Sequence, residues 1–302
     1  MSLIPRILVP GRNGQVGWEL QGALAPLGTV IGLDRSGMDL ARPDSIRRAI
    51  RDVKPDVIVN AAAYNHVDLA ETETDLAMQV NGLAPGVMAE EAKRLGALLI
   101  HYSTDYVFDG ELGRPYVEED LPGPVNAYGR SKLAGEQAVA ATGGNYLILR
   151  TSWVYSARGA NFVLTVLRLA REKPELAMVD DQSGSPTWAR WLAQATASVL
   201  SRRDTVARHG GTYHLVAAGH ATRFELAAAI LDALNELPGY SGSRPKLRPI
   251  KTAQYPLPAL RPPRPVLSTG RIERVFGITP RHWRDQLHDF LRELARPTRL
   301  GV

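Results

Sequence analysis

The sequence predicts an α/β fold, built as a doubly wound parallel sheet with a smaller, mostly C-terminal α/β part. Two observations lead to this prediction. Short apolar runs alternate with helical patterns over the first 150 residues, as they do in parallel sheets with helices on both faces. The first apolar run, Ile7 to Val9, ends in a glycine-rich turn that leads into a helical pattern. Strand, glycine turn and helix in this order form the arrangement that cradles a pyrophosphate.

Bulk properties exclude several classes of protein. The chain has 302 residues, so we expect one large domain or two closely packed ones. It has no Cys, which excludes disulfides and cysteine chemistry and suits the cytoplasm, where we place the protein. No run approaches the 18 apolar residues of a membrane span. We therefore expect no membrane association.

Charge is distributed unevenly along the chain. Residues 1–200 carry 19 Lys and Arg against 23 Asp and Glu, whereas residues 201–302 carry 17 against 8. The basic part could face an anionic ligand, or it could be a solvated surface. No basic stripe is interleaved with aromatic residues, so we do not expect nucleic-acid binding.

The glycine turn has the spacing GxxGxxG, formed by Gly11, Gly14 and Gly17. A helix is predicted to follow over residues 15–24, and a second strand over residues 30–33. That strand ends in Asp34, 23 residues after Gly11, where an acid meets the hydroxyls of an adenosine ribose. Turn and acid together predict a dinucleotide site in a Rossmann-type sheet.

Two arginines bear on the choice of dinucleotide. Asp34 favours NADH, but Arg12 in the turn and Arg35 beside the acid could accept a 2′-phosphate. The alternative is that both arginines are simply exposed. We predict NADPH, with NADH possible. Asp39 and Leu40 would lie near the adenine if the next loop folds back over it.

The middle of the sheet is predicted from three more apolar runs. Helices are predicted over residues 43–53 and 75–95. A third strand, residues 56–60, runs into Ala61-Ala62-Ala63-Tyr64, whose small side chains permit a ligand to approach. A fourth strand, residues 97–102, is followed by Ser103-Thr104-Asp105, and a hydroxyl there can donate to a substrate carbonyl oxygen. A fifth strand, residues 146–150, is followed by Thr151-Ser152-Trp153, where an aromatic ring could stack on a substrate or fill the core.

Tyr128 and Lys132 stand four residues apart in a predicted helix with Asn126 as its N-cap. This spacing places both side chains on one helix face. An ammonium beside a phenol favours the phenolate, so we expect Lys132 to lower the pKa of Tyr128. A phenol tuned in this way can exchange a proton with a carbonyl oxygen.

The last 140 residues are less regular. Helices are predicted over residues 161–172, 188–200, 223–237, 270–276 and 283–295, with a strand over 212–216, a polar turn over 179–187 and a loop-rich section over 238–269. We predict a dinucleotide-binding domain over residues 1–155 that also takes in part of 185–235. A substrate-binding part over residues 156–302 would be interleaved with it.

Six sequence blocks resemble the extended short-chain dehydrogenase/reductases and, within them, the family of dTDP-4-dehydrorhamnose reductases. They are GRNGQVGWEL, PDVIVNAAAYNHVDLAE, HYSTDYVFDG, NAYGRSKLAGE, LRTSWVY and DDQSGSPT. The resemblance implies NAD(P)H-dependent reduction at C4 of dTDP-4-dehydro-L-rhamnose, giving dTDP-L-rhamnose. It also implies a monomer or homodimer.

The resemblance assigns roles to individual residues. Tyr128 would be the general acid, Lys132 its electrostatic partner, and Thr104 a second hydrogen-bond donor to the carbonyl. The substrate would contact Thr104, Asp105, Trp153 and Arg261. The cofactor would be held by Gly11, Gly14, Gln15, Val16, Gly17, Asp34, Arg35, Asp39, Leu40, Ala63 and Tyr64.

The chain departs from this family in two places. Arg264-Pro265 follows Arg261-Pro262, where Asn and Ser are common, and this leaves the diphosphate contacts open. Some relatives bind Mg²⁺ through glutamates at a subunit interface; Glu19 is present, but Arg190 stands where an acid is expected. We therefore expect no metal.

Three other functions stay open on the sequence alone. The protein could reduce another nucleotide 4-keto sugar. It could be a non-catalytic NADP-binding regulatory subunit. It could also be an epimerase or dehydratase of the same fold, which would keep its cofactor bound through turnover.

Overall fold

The structure is a computed structural model that describes residues 4–234 and 244–295. Its strands are β1 Arg6–Pro10, β2 Thr29–Leu33, β3 Val57–Asn60, β4 Leu98–Thr104, β5 Asn145–Thr151, β6 Val154–Tyr155, β7 Glu175–Val179, β8 Ser183–Gly184, β9 Thr187–Trp188, β10 Gly211–His214, β11 Ala221–Thr222 and β12 Lys246–Ile250. Its α-helices are α1 Gln15–Leu24, α2 Pro43–Val53, α3 Thr74–Met78, α4 Ala84–Leu95, α5 Ala127–Ala141, α6 Phe162–Glu172, α7 Ala189–Leu200, α8 Arg203–Arg208, α9 Arg223–Ala233, α10 Gly270–Phe276 and α11 Trp283–Leu294.

The main sheet has six strands in the order β10-β5-β4-β3-β1-β2. Every neighbouring pair is parallel. From β1 the chain passes to β2 on one side and then to β3 on the other, so the topological switch point lies between β1 and β3. Open parallel sheets bind ligands at the carboxyl end of such a point. The predicted α/β fold with a Rossmann-type parallel sheet is confirmed.

Side chains of β1 pack alternately against the helices on the two faces of the sheet. Successive strand residues point to opposite faces. Ile7 and Val9 are fully buried in the core cluster that includes residues of α1 and α7. Leu8 is fully buried in the cluster that includes residues of α2 and α4. The result is a sheet between two layers of helices, with the strand ends left to form the site.

One predicted helix has an irregular turn. The pattern over residues 75–95 predicts a single helix, but a π-helical turn, Gln79–Leu83, separates α3 from α4. Single π turns inside α-helices occur frequently at functional sites. This one carries the buried side chain of Asn81.

A second sheet has one strand, β12, in the loop-rich section predicted over residues 238–269. β7 pairs in parallel with β12, with Glu175 opposite Lys246. β12 includes Pro249 and is exposed at most of its positions, so it lacks the apolar alternation that predicts a strand. Pro is tolerated at such an edge because it need not donate to the ladder.

The chain returns to the main sheet late. β10 pairs in parallel with β5, although about sixty residues separate them. How the chain divides into domains stays a prediction. The end of the helix predicted over residues 223–237, and the start of the loop-rich section, fall within residues 235–243, outside the described residues. No helix in the described part of the chain has the length and apolar character needed to cross a bilayer.

Candidate active site

The turn after β1 is shaped by close contact with the segment after β3. Gly11 has φ +83°, and a Cβ there would lie 2.8 Å from the Cα of Ala62. The Gly11 amide donates to the carbonyl of Leu33, which ties the turn to the end of β2. Only Gly accepts this backbone conformation and this approach without strain.

α1 starts directly from this turn. Its N-cap residue is Gly14, and no side chain caps the helix. The first backbone N–H groups of the helix are therefore available to an anion, which the positive end of the helix dipole also favours.

A groove of about 880 Å³ runs along the switch point. Eight residues predicted to bind the cofactor line it, namely Gly11, Gly14, Asp34, Arg35, Asp39, Leu40, Ala63 and Tyr64. The groove is also lined by five residues for which no cofactor role was predicted, namely Asn13, Ser36, Asn65, His66 and Glu73. Asn13 lies inside the glycine turn, and Asn65 and His66 directly follow Tyr64, so these positions could have indicated them. Ser36 and Glu73 lie in segments with no motif of their own.

Three other predicted cofactor residues do not line the groove. The Gln15 side chain accepts hydrogen bonds from Ser156 and Asn161. Val16 packs against the main core cluster. A Cβ at Gly17 would lie 2.1 Å from the carbonyl oxygen of Gly11, so Gly17 permits helix and turn to pack together.

Asp34 stands at the end of β2 as predicted. Its carboxylate accepts hydrogen bonds from the amide and hydroxyl of Ser36, at 3.1 and 2.6 Å. The Ser36 hydroxyl is the largest cause that lowers the pKa of Asp34. Arg35 lines the groove and is 80% exposed, whereas Arg12 lies 3.8 Å from the Asp34 carboxylate and does not line the groove.

Asn81 is a positioning residue that the sequence analysis missed. Its side chain accepts from the backbone amide of Tyr64 at 2.8 Å and donates to the Tyr64 carbonyl at 2.9 Å. It also donates to the Ser131 hydroxyl at 3.1 Å. Asn81 thus joins the wall of the groove to α5, which carries the predicted catalytic pair.

Tyr128 is half-buried near the start of α5, where Asn126 caps the helix by accepting from the Gly129 amide at 2.7 Å. Tyr64 and Tyr128 pack on the same alanine cluster. On its other side, Tyr128 makes an edge contact with Tyr106, with ring centroids 5.9 Å apart. Tyr128 therefore lies between the groove and the segment after β4.

Lys132 is buried on the same helix. Its ammonium donates to the carbonyl of Tyr102 at 2.6 Å. Burial lowers the pKa of Lys132 to about 8, and the Glu136 carboxylate one turn later opposes this effect. Glu136 is held by Arg150 through contacts of 2.7 to 3.2 Å, and both side chains are buried.

The expected lowering of the Tyr128 pKa is wrong. Burial raises the pKa of Tyr128 well above that of a free phenol, and the hydrogen bond with Thr104 opposes this only in part. The spacing does not reveal that the Lys132 ammonium is bound to a backbone carbonyl. The phenol is consequently protonated at neutral pH, which is the form that a general acid needs.

Thr104 and Asp105 lie next to Tyr128. Thr104 is within hydrogen-bonding reach of the Tyr128 hydroxyl, and its own hydroxyl donates to Asp105 at 3.1 Å. Asp105 also accepts from Ser152 at 2.6 Å. Burial raises the pKa of Asp105 to about 6, against the opposing effect of these hydroxyls. The Tyr128 and Thr104 hydroxyls thus lie side by side. Tyr128 can donate to a carbonyl oxygen placed there, and Thr104 can do so when its single proton turns from Asp105 to that oxygen.

Trp153 has φ +43°, a left-handed conformation that is strained for an aromatic residue. A Cβ at Gly184 would lie 2.5 Å from its indole ring, so the ring packs directly on that backbone. The Arg223 guanidinium stacks 3.5 Å from the ring centroid. Arg223 was missed because an isolated Arg in an Arg-rich chain carries no pattern.

A second cavity of about 890 Å³ is lined by Arg223 and Arg261, among other residues. Arg261 pairs with Asp68 at 2.7 Å and donates to the carbonyl of Ala259 at 3.0 Å. The structure thus brings Tyr128, Thr104 and Asp105 together. Arg261 lines the second cavity, and Trp153 contacts it through the stacked Arg223.

Glu19 and Arg190 also meet. The Arg190 guanidinium binds the Glu19 carboxylate at 2.9 Å and also pairs with Glu293. In residues 4–234 and 244–295, no three His, Asp or Glu side chains are grouped so that they could hold a metal ion.

Comparison with known proteins gives a consistent result. Residues 5–296 match the family model described as the RmlD substrate binding domain. A dTDP-4-dehydrorhamnose reductase of Burkholderia thailandensis is 49% identical over 96% of this chain and 99% of that protein. The dTDP-4-dehydrorhamnose reductase of Escherichia coli K12 is 41% identical over 97% of this chain and 99% of that protein.

A solved structure supports the same assignment. The dTDP-4-dehydrorhamnose reductase of Bacillus anthracis, crystallised in complex with NADP, superposes with a TM-score of 0.87 at 33% identity. The match covers 96% of this chain and 100% of that one. The resemblance predicted from the six sequence blocks is confirmed.

Proposed function

Since the chain belongs to the family of dTDP-4-dehydrorhamnose reductases, an oxidoreductase family, we propose that it reduces C4 of dTDP-4-dehydro-L-rhamnose with NADPH. The product is dTDP-L-rhamnose. The observation that carries this proposal is that the Tyr128 and Thr104 hydroxyls lie within hydrogen-bonding reach of each other. Tyr128 packs on the same alanine cluster as Tyr64 of the groove, and Tyr106, two residues after Thr104, is a neighbour of Arg223 in the second cavity. A ketone oxygen placed there receives two hydrogen bonds as its negative charge develops.

The groove fits a dinucleotide. The backbone of Gly11 lies so close to Ala62 that a Cβ would fill the space between them, and the first N–H groups of α1 carry no side-chain cap. The diphosphate is held at this helix start, and Asp34 binds the adenosine ribose. Arg35, exposed at the groove, binds the 2′-phosphate that distinguishes NADPH from NADH.

The chain's own residues supply proton transfer and orientation. NADPH, when bound, supplies the hydride. Tyr128 gives its proton to the C4 oxygen, and Thr104 donates a second hydrogen bond to the same oxygen. The Lys132 ammonium donates to the Tyr102 carbonyl before the reaction, and it stabilises the phenolate that is left by turning from that carbonyl toward the new charge. Asp105 and Trp153 orient the sugar.

The two parts of the chain divide these tasks. Residues 1–155, with the segment that supplies α7 and β10, hold the cofactor. The described residues that line the second cavity all come after residue 160, and this part of the chain holds the nucleotide sugar. Cofactor and sugar therefore meet at Tyr128, from opposite sides.

The test is NADPH oxidation with enzymatically generated dTDP-4-dehydro-L-rhamnose. The wild-type enzyme should oxidise NADPH in the presence of this sugar. The Tyr128→Phe variant should retain less than a few per cent of that activity, although it still binds NADPH. Product is identified by mass and by its comigration with dTDP-L-rhamnose. Binding of NADPH with no turnover on this sugar would contradict the proposal and favour another 4-keto sugar or a regulatory role.

A further inference from the structure

Three arginines line the second cavity, and they differ in their charge partners. Arg261 pairs with Asp68 at 2.7 Å, and Arg248 pairs with Glu175 at 3.1 Å. Arg223 forms no ion pair with a carboxylate in the part of the chain that the structure describes. Its electrostatic neighbours are Tyr106, Asp105 and Arg261. Arg223 is therefore the arginine of this cavity whose charge is not already matched at close range.

Arg223 occupies a place where a cation is costly. It is half-buried at the first position of α9, where the helix dipole disfavours positive charge. Glu225 does not compensate, because its carboxylate accepts from the Thr222 amide in a capping box. Burial lowers the pKa of Arg223. Asp105 is near enough to raise the pKa of Arg223 but forms no ion pair with it. A guanidinium kept in such a place without a paired carboxylate points to an anionic ligand.

The side chain is also held in one position. Its guanidinium stacks 3.5 Å from the centroid of the Trp153 ring and 5.0 Å from that of Phe162. Tyr106 lies within hydrogen-bonding reach. Stacking uses the flat faces of the guanidinium and leaves N–H groups at its edge free to donate.

The location of Arg223 identifies the part of the ligand that it meets. Asp105 and Tyr106 directly follow Thr104, so Arg223 lies beside the place proposed for the sugar. In a nucleoside diphosphate sugar, the group bonded to the sugar is a phosphate. We infer that Arg223 binds this β-phosphate, and that it thereby distinguishes a nucleoside diphosphate from a monophosphate. The inference rests on the proposed function, since it takes the ligand to be a dTDP-sugar.

This inference bears on two assignments made from the sequence. Arg261 was assigned to the substrate, but its guanidinium is bound to Asp68 and to a backbone carbonyl, so we infer that it fixes the segment that includes it. The Trp153 ring was expected to stack on a substrate or fill the core. Besides its proposed contact with the sugar, it supports Arg223.

The test compares dTDP with dTMP, which lacks the β-phosphate. Isothermal titration calorimetry gives both dissociation constants for the wild type, Arg223→Leu, Arg223→Lys and the control Arg168→Leu. Arg168 is an exposed arginine of α6 that pairs with Glu172 at 2.8 Å and lies outside the lining of the cavity. We expect the wild type to bind dTDP more tightly, Arg223→Leu to reduce this preference at least ten-fold, and Arg223→Lys to keep part of it. Arg168→Leu should keep the wild-type preference.

A merely structural role would give a different pattern. If Arg223 only supported Trp153, Arg223→Leu would weaken both nucleotides equally and leave their ratio unchanged, which would overturn the inference. A wild type that does not prefer dTDP would overturn it as well. NADPH affinity, measured in parallel, shows that each variant is folded. A preference for dTDP that depends on Arg223, without turnover of the 4-keto sugar, would refute the proposed reaction and leave this inference standing.

Discussion

Replacing Asp105 by Asn should remove a pH-dependent cost to the stability of the protein and should lower its activity. Asp105 is 2% exposed, and burial raises its pKa from 3.8 to about 6. Between these two values the folded protein keeps a proton that the unfolded chain has lost. The carboxyl group therefore costs stability as the pH rises through this window, and the cost is complete above pH 6.

The size of the effect follows from the pKa. Raising it from 3.8 to about 6 corresponds to about 3 kcal/mol. Asn has no charge to bury, and its amide oxygen can still accept from Ser152 and Thr104. The amide N–H needs an acceptor of its own, which sets a pH-independent cost of about 1–3 kcal/mol. The stability of Asp105→Asn relative to wild type should thus improve by about 2–3 kcal/mol between pH 4 and pH 8.

The assay is urea unfolding from pH 4 to pH 8 without nucleotides, because bound ligand would add its own stabilisation. Asp109→Asn is the matched control. Hydrogen bonds from the Glu111 amide and the Tyr116 hydroxyl lower the pKa of Asp109, so that carboxylate stabilises the fold above pH 4 and its Asn variant should lose stability there. A difference between Asp105→Asn and wild type that is the same at every pH would refute the reasoning. If Asp105 contacts the sugar, the same variant should lose at least ten-fold in kcat/KM.

Three further predictions concern the groove and α5. Gly11→Ala should weaken NADPH binding at least ten-fold and destabilise the fold by about 1–3 kcal/mol, because φ is +83° and the new Cβ would contact backbone atoms. The control is Gly22→Ala, at a helix position where a Cβ would have nothing within 4 Å. It should stabilise the fold by about 0.5–1 kcal/mol. Arg35→Ala should reduce the preference for NADPH over NADH about ten-fold in kcat/KM, and an unchanged preference would exclude Arg35 from the 2′-phosphate site. Glu136→Gln removes the carboxylate that raises the pKa of Lys132. In a plot of kcat/KM against pH, the fall in activity on the alkaline side should therefore move from about pH 8 to lower pH. The free energy of unfolding should also fall by about 3–5 kcal/mol, because the buried Arg150 loses its partner. An unchanged pH profile would show that Glu136 does not affect the pKa of Lys132.

Residues that follow strands in short, regular turns could be predicted from the sequence. α1 runs from Gln15 to Leu24 as expected, because the glycine turn marks its start and the apolar spacing its length. Asn126 caps α5 as expected, and the cap side chain accepts from Gly129. These features depend on contacts over a few residues, so local sequence contains the information.

Features that depend on distant parts of the chain could not be predicted. The role of Asn81 requires a π turn, which has no sequence signature, and partners 17 and 50 residues away. The hydrogen bond from Lys132 to Tyr102 likewise requires the packing of α5 on β4. A helical spacing shows which side chains share a face, but it does not show which group outside the helix an ammonium will bind.

The late return of the chain to the main sheet bears on how the protein is made. β5 ends at Thr151, and β10, which pairs with it, begins at Gly211. While a ribosome adds the intervening sixty residues or so, at about 5–20 residues per second, β5 remains an open edge for roughly 3–12 seconds. Unpaired strand edges are templates for aggregation. During synthesis, the edge of β5 is therefore open to pairing with other chains until β10 has been made and completes the sheet.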